Sequence, residues 1–400
     1  MIKIFKKKSK WIALIFLVFT LAACGQAPTQ DLSMAGTYAA QTLAAMPEEV
    51  TTEAPKTQPT PTATLEVTPL PIAGAVGPTD FPEDVNPLTG LRVEDTEILE
   101  RRPVLVKVAN YPASGRPHAG LSFADMVFEY YIGYGGNRFI AMFYGQDAEK
   151  IGPLRSGRLV DPKITSLYEG ILGFHGAYVT ILDEILDVLG DRALNGTTGL
   201  CPAICDDGRN IVTSVFADSA ELSALAGQRG VVNEKYLLEG MAFDPEAPEG
   251  GEDGQQANIL FSSLNRGEWR YDKQSGYYLR WIEDANSQNL EMIPLVDRLT
   301  DQQLAFSNVV VLFAEHMEIT PSMHDMTMWN VTGQRAMVFR DGKVYDGSWT
   351  TPVTDQPIQF LDADGEILPL KPGNTWVVIF GTSSGVTEQE GIWTYNFSIP

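Results

Sequence analysis

Between Ala39 and Asp80 the chain carries no aromatic residue, and it runs through APKTQPTPTATLEVTPLP, Ala54 to Pro71. Such a stretch has too little apolar surface to offset the entropy lost on ordering it, and its prolines hold it extended. It predicts a disordered tether over residues 24–80. Folding is thereby confined to the roughly 320 residues that follow, enough for two ordinary domains.

The residues before the tether read as an address. Lys3, Lys6, Lys7, Lys8 and Lys10 precede an uncharged run from Trp11 to Ala23. A basic start, a short apolar run and small residues before a cut describe a secretory signal over residues 1–23. The apolar run is too short to span a membrane comfortably. LAAC, Leu21 to Cys24, resembles the lipobox of bacterial lipoproteins. That resemblance implies that Cys24 is the lipidated first residue of an extracytoplasmic protein anchored to the cell membrane. The formal charge of −22 includes the five signal lysines, which leaves the mature chain near −27. Such a charge argues against a nucleic-acid partner and against a polybasic grip on anionic lipid.

The folded part divides by pattern. Residues 81–243 predict a mixed α/β domain. Val104, Val106 and Val108 alternate as in a strand. Ala124–Tyr134 and Arg138–Gly145 are β-rich runs joined by the glycine-bearing loop GGN, Gly135 to Asn137. Tyr178–Gly190 spaces Ile181, Ile185 and Leu189 as a helix that stops at a glycine. Ala217–Ala226 and Asn233–Met241 suggest two shorter helices. Residues 244–257 are acidic and glycine-rich, a loop or boundary. Residues 258–400 predict a mostly β domain, with a hairpin over Gly267–Ile282 and a buried strand over Asn308–His316. Asp341-Gly342 and Asp364-Gly365 supply two further hairpin turns.

Cys201 and Cys205, in CPAIC, are the cysteines left once Cys24 is lipidated. An exported protein favours a disulfide between them. Free thiols and a metal site are the rival readings, and a zinc site needs four ligands where only Asp206 and Asp207 lie close.

The distribution of charge is uneven. Arg101 to Lys163 holds nine Lys or Arg against five Asp or Glu, a positive island in an acidic chain. Its cations are mostly arginine, Arg116, Arg138, Arg155 and Arg158; the first three follow turn residues, and the guanidinium fork matches carboxylate or phosphate with two parallel hydrogen bonds. Asn110 and Ser156 stand beside them. Three readings remain open: an anion site, an internal network with Asp125, Glu129 and Asp161, or plain surface. In an enzyme these three carboxylates are the candidate bases.

Catalytic templates fit poorly. Ser156 lies in LRSGR rather than in a G-x-S-x-G elbow, and His118 and His175 are bases only by availability. His175 follows an apolar run and reads as structural. Glu315 to Asp325 gathers Glu315, His316, Glu318, His324 and Asp325, but in no metal-binding spacing. GYGGNR lacks the strand–helix context of a dinucleotide fingerprint, and no P-loop is present. No cofactor or metal is expected. Tyr130, Tyr131, Tyr134 and Tyr144, and later Trp269, Tyr271, Tyr277, Tyr278 and Trp281, can face sugar rings or fill the core.

RPVLVKVAN, RPHAGLSFADMVFEYYIGYGGNRFIAMFYG and EKIGPLRSGR resemble the N-terminal domain of the YerB-like bacterial lipoproteins. GQRAMVFRDGKVYDGSW and LKPGNTWVVIFG resemble that family's C-terminal domain. The resemblance covers about Asn86 to Gly381. It implies export, a lipid anchor and two parts, and it supplies no reaction. Asn110, Arg116, Asp125, Glu129, Arg138, Arg155, Ser156 and Arg158 fall on motif positions. Gly157 departs from the alanine-like residue usual between the serine and the second arginine. The combined expectation is a membrane-anchored protein whose arginines bind an anionic glycan or a cell-envelope protein. An enzyme acting on a phosphate- or pyrophosphate-bearing substrate is the alternative.

Overall fold

The computed structural model describes residues 72–400 apart from Asn210 and Gln288. The expected signal peptide, Cys24 and the tether as far as Pro71 lie outside the described residues. The tether was expected to reach Asp80, yet its last part is built into the fold. Ile72 is buried, and Val76 exchanges backbone hydrogen bonds with Phe243. Apolar side chains at the end of a polar stretch are enough to dock it.

Five strands carry the N-terminal region: β1 (Val104–Ala109), β2 (Met126–Gly133), β3 (Gly136–Phe143), β4 (Ile171–Phe174) and β5 (Ala193–Asn195). β2 and β3 form the expected hairpin, and β3 pairs antiparallel with β1. β1, β4 and β5 run parallel. Helices Val160–Leu167 and Val179–Leu189 precede and follow β4. Ile181, Ile185 and Leu189 of the second are buried, as the periodicity requires.

The C-terminal region is mostly β, and it does not stand apart. Strand Thr375–Gly381 pairs parallel with β2 on one side and with Asn308–Ala314 on the other. The hairpin Val331–Arg340/Lys343–Thr351, turning at Asp341-Gly342, extends the same sheet. One sheet of eleven strands therefore runs through both regions. A second sheet of seven strands, built around Gln256–Ser262, Asn265–Asp272 and Tyr277–Glu283, covers one of its faces. Helices Val160–Leu167 and Val179–Leu189 and the segment Leu238–Phe243 cover the other, while helix Ser219–Gln228 packs on the first face through Leu222 and Ala226. Being buried on both faces explains why Asn308–Ala314 and Thr375–Gly381 read as unbroken apolar runs.

The helix expected over Asn233–Met241 is not formed. The segment is extended. Asn233 accepts the Arg102 backbone N–H, Tyr236 stacks on the Arg102 guanidinium, and Leu238 and Met241 enter the core. Tertiary contacts override a weak local preference. Cys201 and Cys205 are joined in a disulfide. Trp269 and Tyr278 lie in the core between the sheets.

Candidate functional site

β1 and β4 pair only over Val104–Val106 and Ile171–Gly173. Beyond that they splay, and the stretch IGPLRSGR fills the gap. Leu154 bridges Val108, Arg155 N–H donates to the Lys107 carbonyl, and His175 N–H donates to the Arg155 carbonyl. Gly157 N–H donates to the Gly176 carbonyl. Glycine is needed at Gly152, which sits at φ 146° with a Cβ placed there 2.9 Å from the Leu154 nitrogen; a Cβ at Gly157 would press first on the tip of the Ile185 side chain, 2.5 Å away. The inserted segment ends in Arg158, and the helix Val160–Leu167 follows directly. The crevice outside the carboxyl ends of parallel strands, beside helix N-termini, is where open α/β sheets bind ligands.

At this end of the sheet the fold brings together Arg138 from β3, Arg155 and Arg158 from the inserted segment, and Lys107 from β1. Arg138 lies opposite both Ala109 and Tyr130 in the strand registers, so it shares a sheet face with Lys107 and Tyr130. Lys107 is fully buried. It lies 3.0 Å from Asp161 Oδ1 and bonds the Tyr130 hydroxyl, which in turn donates to Asp161. The second Asp161 oxygen accepts the Arg158 backbone N–H at 2.7 Å. Asp161 is thus consumed by Lys107, Tyr130 and a helix N-terminus.

The three arginines are treated differently. Arg138 Nη1 donates to the Ser156 carbonyl at 2.6 Å, Arg155 Nη1 reaches the Val212 carbonyl at 3.3 Å, and Arg158 Nη1 bonds the Gly157 carbonyl at 3.0 Å. None of the three forms an ion pair among the described residues. In each, Nε is buried and has no acceptor. Burial first, then Arg158 and Arg155, lowers Arg138 to about 9, and burial likewise lowers Arg158. Guanidinium stays charged at neutral pH, and Asp161 opposes the shift in both. Burial, reinforced by Arg138 and Arg158 and opposed by Asp161, lowers Lys107 to about 7. His175 is half-buried at the rim, and burial and Arg155 hold its pKa below the ordinary value.

The remaining candidates sit elsewhere. Arg116 does not join the cluster: Nη2 pairs with Glu283 at 2.9 Å and Nε donates to Asn110. Asn110 also donates to Asn137 at 2.7 Å, on the opposite sheet face. Glu129 accepts from Asn137, from Arg280 at 3.0 Å and from Trp376 at 2.8 Å. Asp125 accepts from Asn86 and from the Tyr144 and Gly145 N–H groups, and burial raises it to about 6. It lines a separate cleft of about 570 Å³ that contains none of the four arginines. Ser156 contributes its carbonyl. His118 is buried against the Ala109 carbonyl, and burial lowers it to about 3. His316 and His324 bond backbone carbonyls, and Asp325 pairs with Lys163. Lys107 was absent from the sequence-based candidates. Its signal was a single charge inside the otherwise apolar strand VLVKVA.

Comparison with known proteins agrees with the fold. Residues 88–232 match the family model described as "Protein of unknown function (DUF3048) N-terminal domain", and residues 257–377 match its C-terminal domain. The chain belongs to this YerB-like family. It is 26% identical over 316 residues to "Putative lipoprotein YerB" of Bacillus subtilis, covering 76% of this chain and 89% of that protein. The crystal structure of YerB protein from Bacillus subtilis superposes with a TM-score of 0.62 at 26% identity, covering 74% of this chain and 96% of that one.

Proposed function

We propose that the protein is an extracytoplasmic lipoprotein, anchored through Cys24, that binds an anionic ligand of the cell envelope at Arg138, Arg155 and Arg158. The lipobox and the lipoprotein name of the Bacillus subtilis relative support the anchor. One observation carries the binding reading: three neighbouring guanidinium groups meet only carbonyl oxygens and have no ion-pair partner among the described residues. A partly buried charge without a paired counter-charge is costly, and an arriving anion lowers that cost. The candidate ligands are a phosphate- or carboxylate-bearing glycan or an acidic patch of a partner protein.

Binding is favoured over the enzyme alternative by the fate of the carboxylates. A general base must reach the substrate, yet Glu129 and Asp125 lie outside the crevice and Asp161 has both oxygens engaged. Calorimetric titration of sulfate into the protein tests the reading. Saturable binding that is lost in the Arg155→Gln/Arg158→Gln double variant is expected. Equal heats from both proteins would reject it.

A further inference from the structure

We infer that the ligand group seated at Arg138, Arg155 and Arg158 is a terminal phosphate monoester, a reading that rests on the anion site proposed above. Charge narrows the choice first. Lys107, Arg138, Arg155 and Arg158 face one carboxylate, Asp161. A carboxylate or an internal phosphodiester brings a single charge into that surplus. A monoester near neutral pH brings between one and two.

Donor geometry narrows it further. The three guanidinium groups come from separate backbone positions: a sheet strand and two places in the inserted segment that leads into helix Val160–Leu167. Two of these positions are three residues apart on a turning backbone, and the third lies across the sheet. A planar carboxylate offers two oxygens and a diester two non-bridging ones. A monoester offers three terminal oxygens in a tetrahedral array, one for each guanidinium. Helix Val179–Leu189 opens beside the rim at Tyr178 without a side-chain cap, which adds a partial positive charge suited to phosphate.

Access agrees with a chain end. Arg138 is 6% exposed and Lys107 fully buried, while Arg155, Arg158 and His175 are half-buried. The cluster is therefore closed to solvent at Lys107 and Arg138 and reached from the side of Arg155, Arg158 and His175. An end group can enter and leave its carrier outside, whereas the middle of a polymer needs two exits.

The test titrates glycerol 3-phosphate, dimethyl phosphate and glucuronate into the protein at one ionic strength and neutral pH. Glycerol 3-phosphate should bind at least about tenfold more tightly than the other two, a gap of about 1.4 kcal/mol. It should weaken at least about tenfold in Arg155→Gln/Arg158→Gln, with unchanged circular dichroism. The Arg155→Lys/Arg158→Lys variant, which keeps the charge but loses the fork, should fall between them. Dihexanoyl phosphatidic acid carries the same monoester on a lipid. Whichever of the two monoesters binds tighter names the source, and either supports the inference. Glucuronate or dimethyl phosphate binding as tightly as the monoester, with the same loss in the variant, overturns the monoester and leaves an anion site. Failure of all three to bind the folded protein overturns both.

Discussion

Two buried polar clusters lie on opposite faces of the same large sheet, and they are settled in opposite ways. On the face toward the second sheet, a chain of contacts runs from Arg280 through Glu129, Asn137, Asn110 and Arg116 to Glu283. Each of its two arginines meets a carboxylate, and the ends of the chain belong to the C-terminal region. On the face toward the helices, Arg138, Arg155 and Arg158 meet only carbonyl oxygens. The first cluster holds the two regions together. In the second, Asp161 is the one carboxylate nearby, and it forms no ion pair with any of the three arginines. Arginine content alone does not distinguish them; whether the protein's own acids have claimed each guanidinium does.

The largest effect should come from breaking the closed cluster. Glu129→Gln removes the counter-charge of Arg280, which is 1% exposed. Losing one partner of a buried pair costs about 3–5 kcal/mol, read as a lower denaturation midpoint in urea. A loss below about 1 kcal/mol, in a protein that still folds, would show that the cluster is not the clasp described here. Glu129 had been a candidate base; its replacement now reports on stability.

A smaller effect separates the clusters by pH. Lys107 is cationic below about 7 and loses its charge above it, because burial, Arg138 and Arg158 lower its pKa against the pull of Asp161. Tyr130 and Asp161 are the other groups bonded to it. An anion at the arginines is attracted by the cationic form, so sulfate affinity should be highest below about 7 and fall as pH rises through it. The fall should be on the order of tenfold at low salt. Lys107→Met should flatten the profile. An equally steep profile in that variant would remove Lys107 from the site.

The smallest effect is the most diagnostic of the open cluster. Arg155→Gln and Arg158→Gln break no ion pair, so each should change stability by no more than about 0.5 kcal/mol. Slight stabilisation is acceptable, since the remaining cations repel less. A loss of several kcal/mol in thermal or urea unfolding would place these arginines with the structural pairs.

Much of the fold was legible because its signals are local. The alternation in β1, the apolar spacing of Val179–Leu189 and the Asp341-Gly342 turn depend on a few neighbouring residues. Helix Val160–Leu167 was not read, being eight residues long with Pro162 in its first turn. The shared sheet was not legible either. Pairing of β2 with Thr375–Gly381 joins residues about 250 positions apart, and no local pattern encodes that choice. The site divides in the same way. Arg138, Arg155 and Arg158 were visible as arginines of a positive island in an acidic chain. The removal of Arg116 was not, because Glu283 lies 167 residues away.

The central claim, that an anion completes the open cluster, is tested most directly by crystals of the protein grown with phosphate. The account predicts tetrahedral density within hydrogen-bond distance of the guanidinium groups of Arg138, Arg155 and Arg158. Density confined to other surfaces, with these three side chains turned apart or bonded to carboxylates, would contradict it.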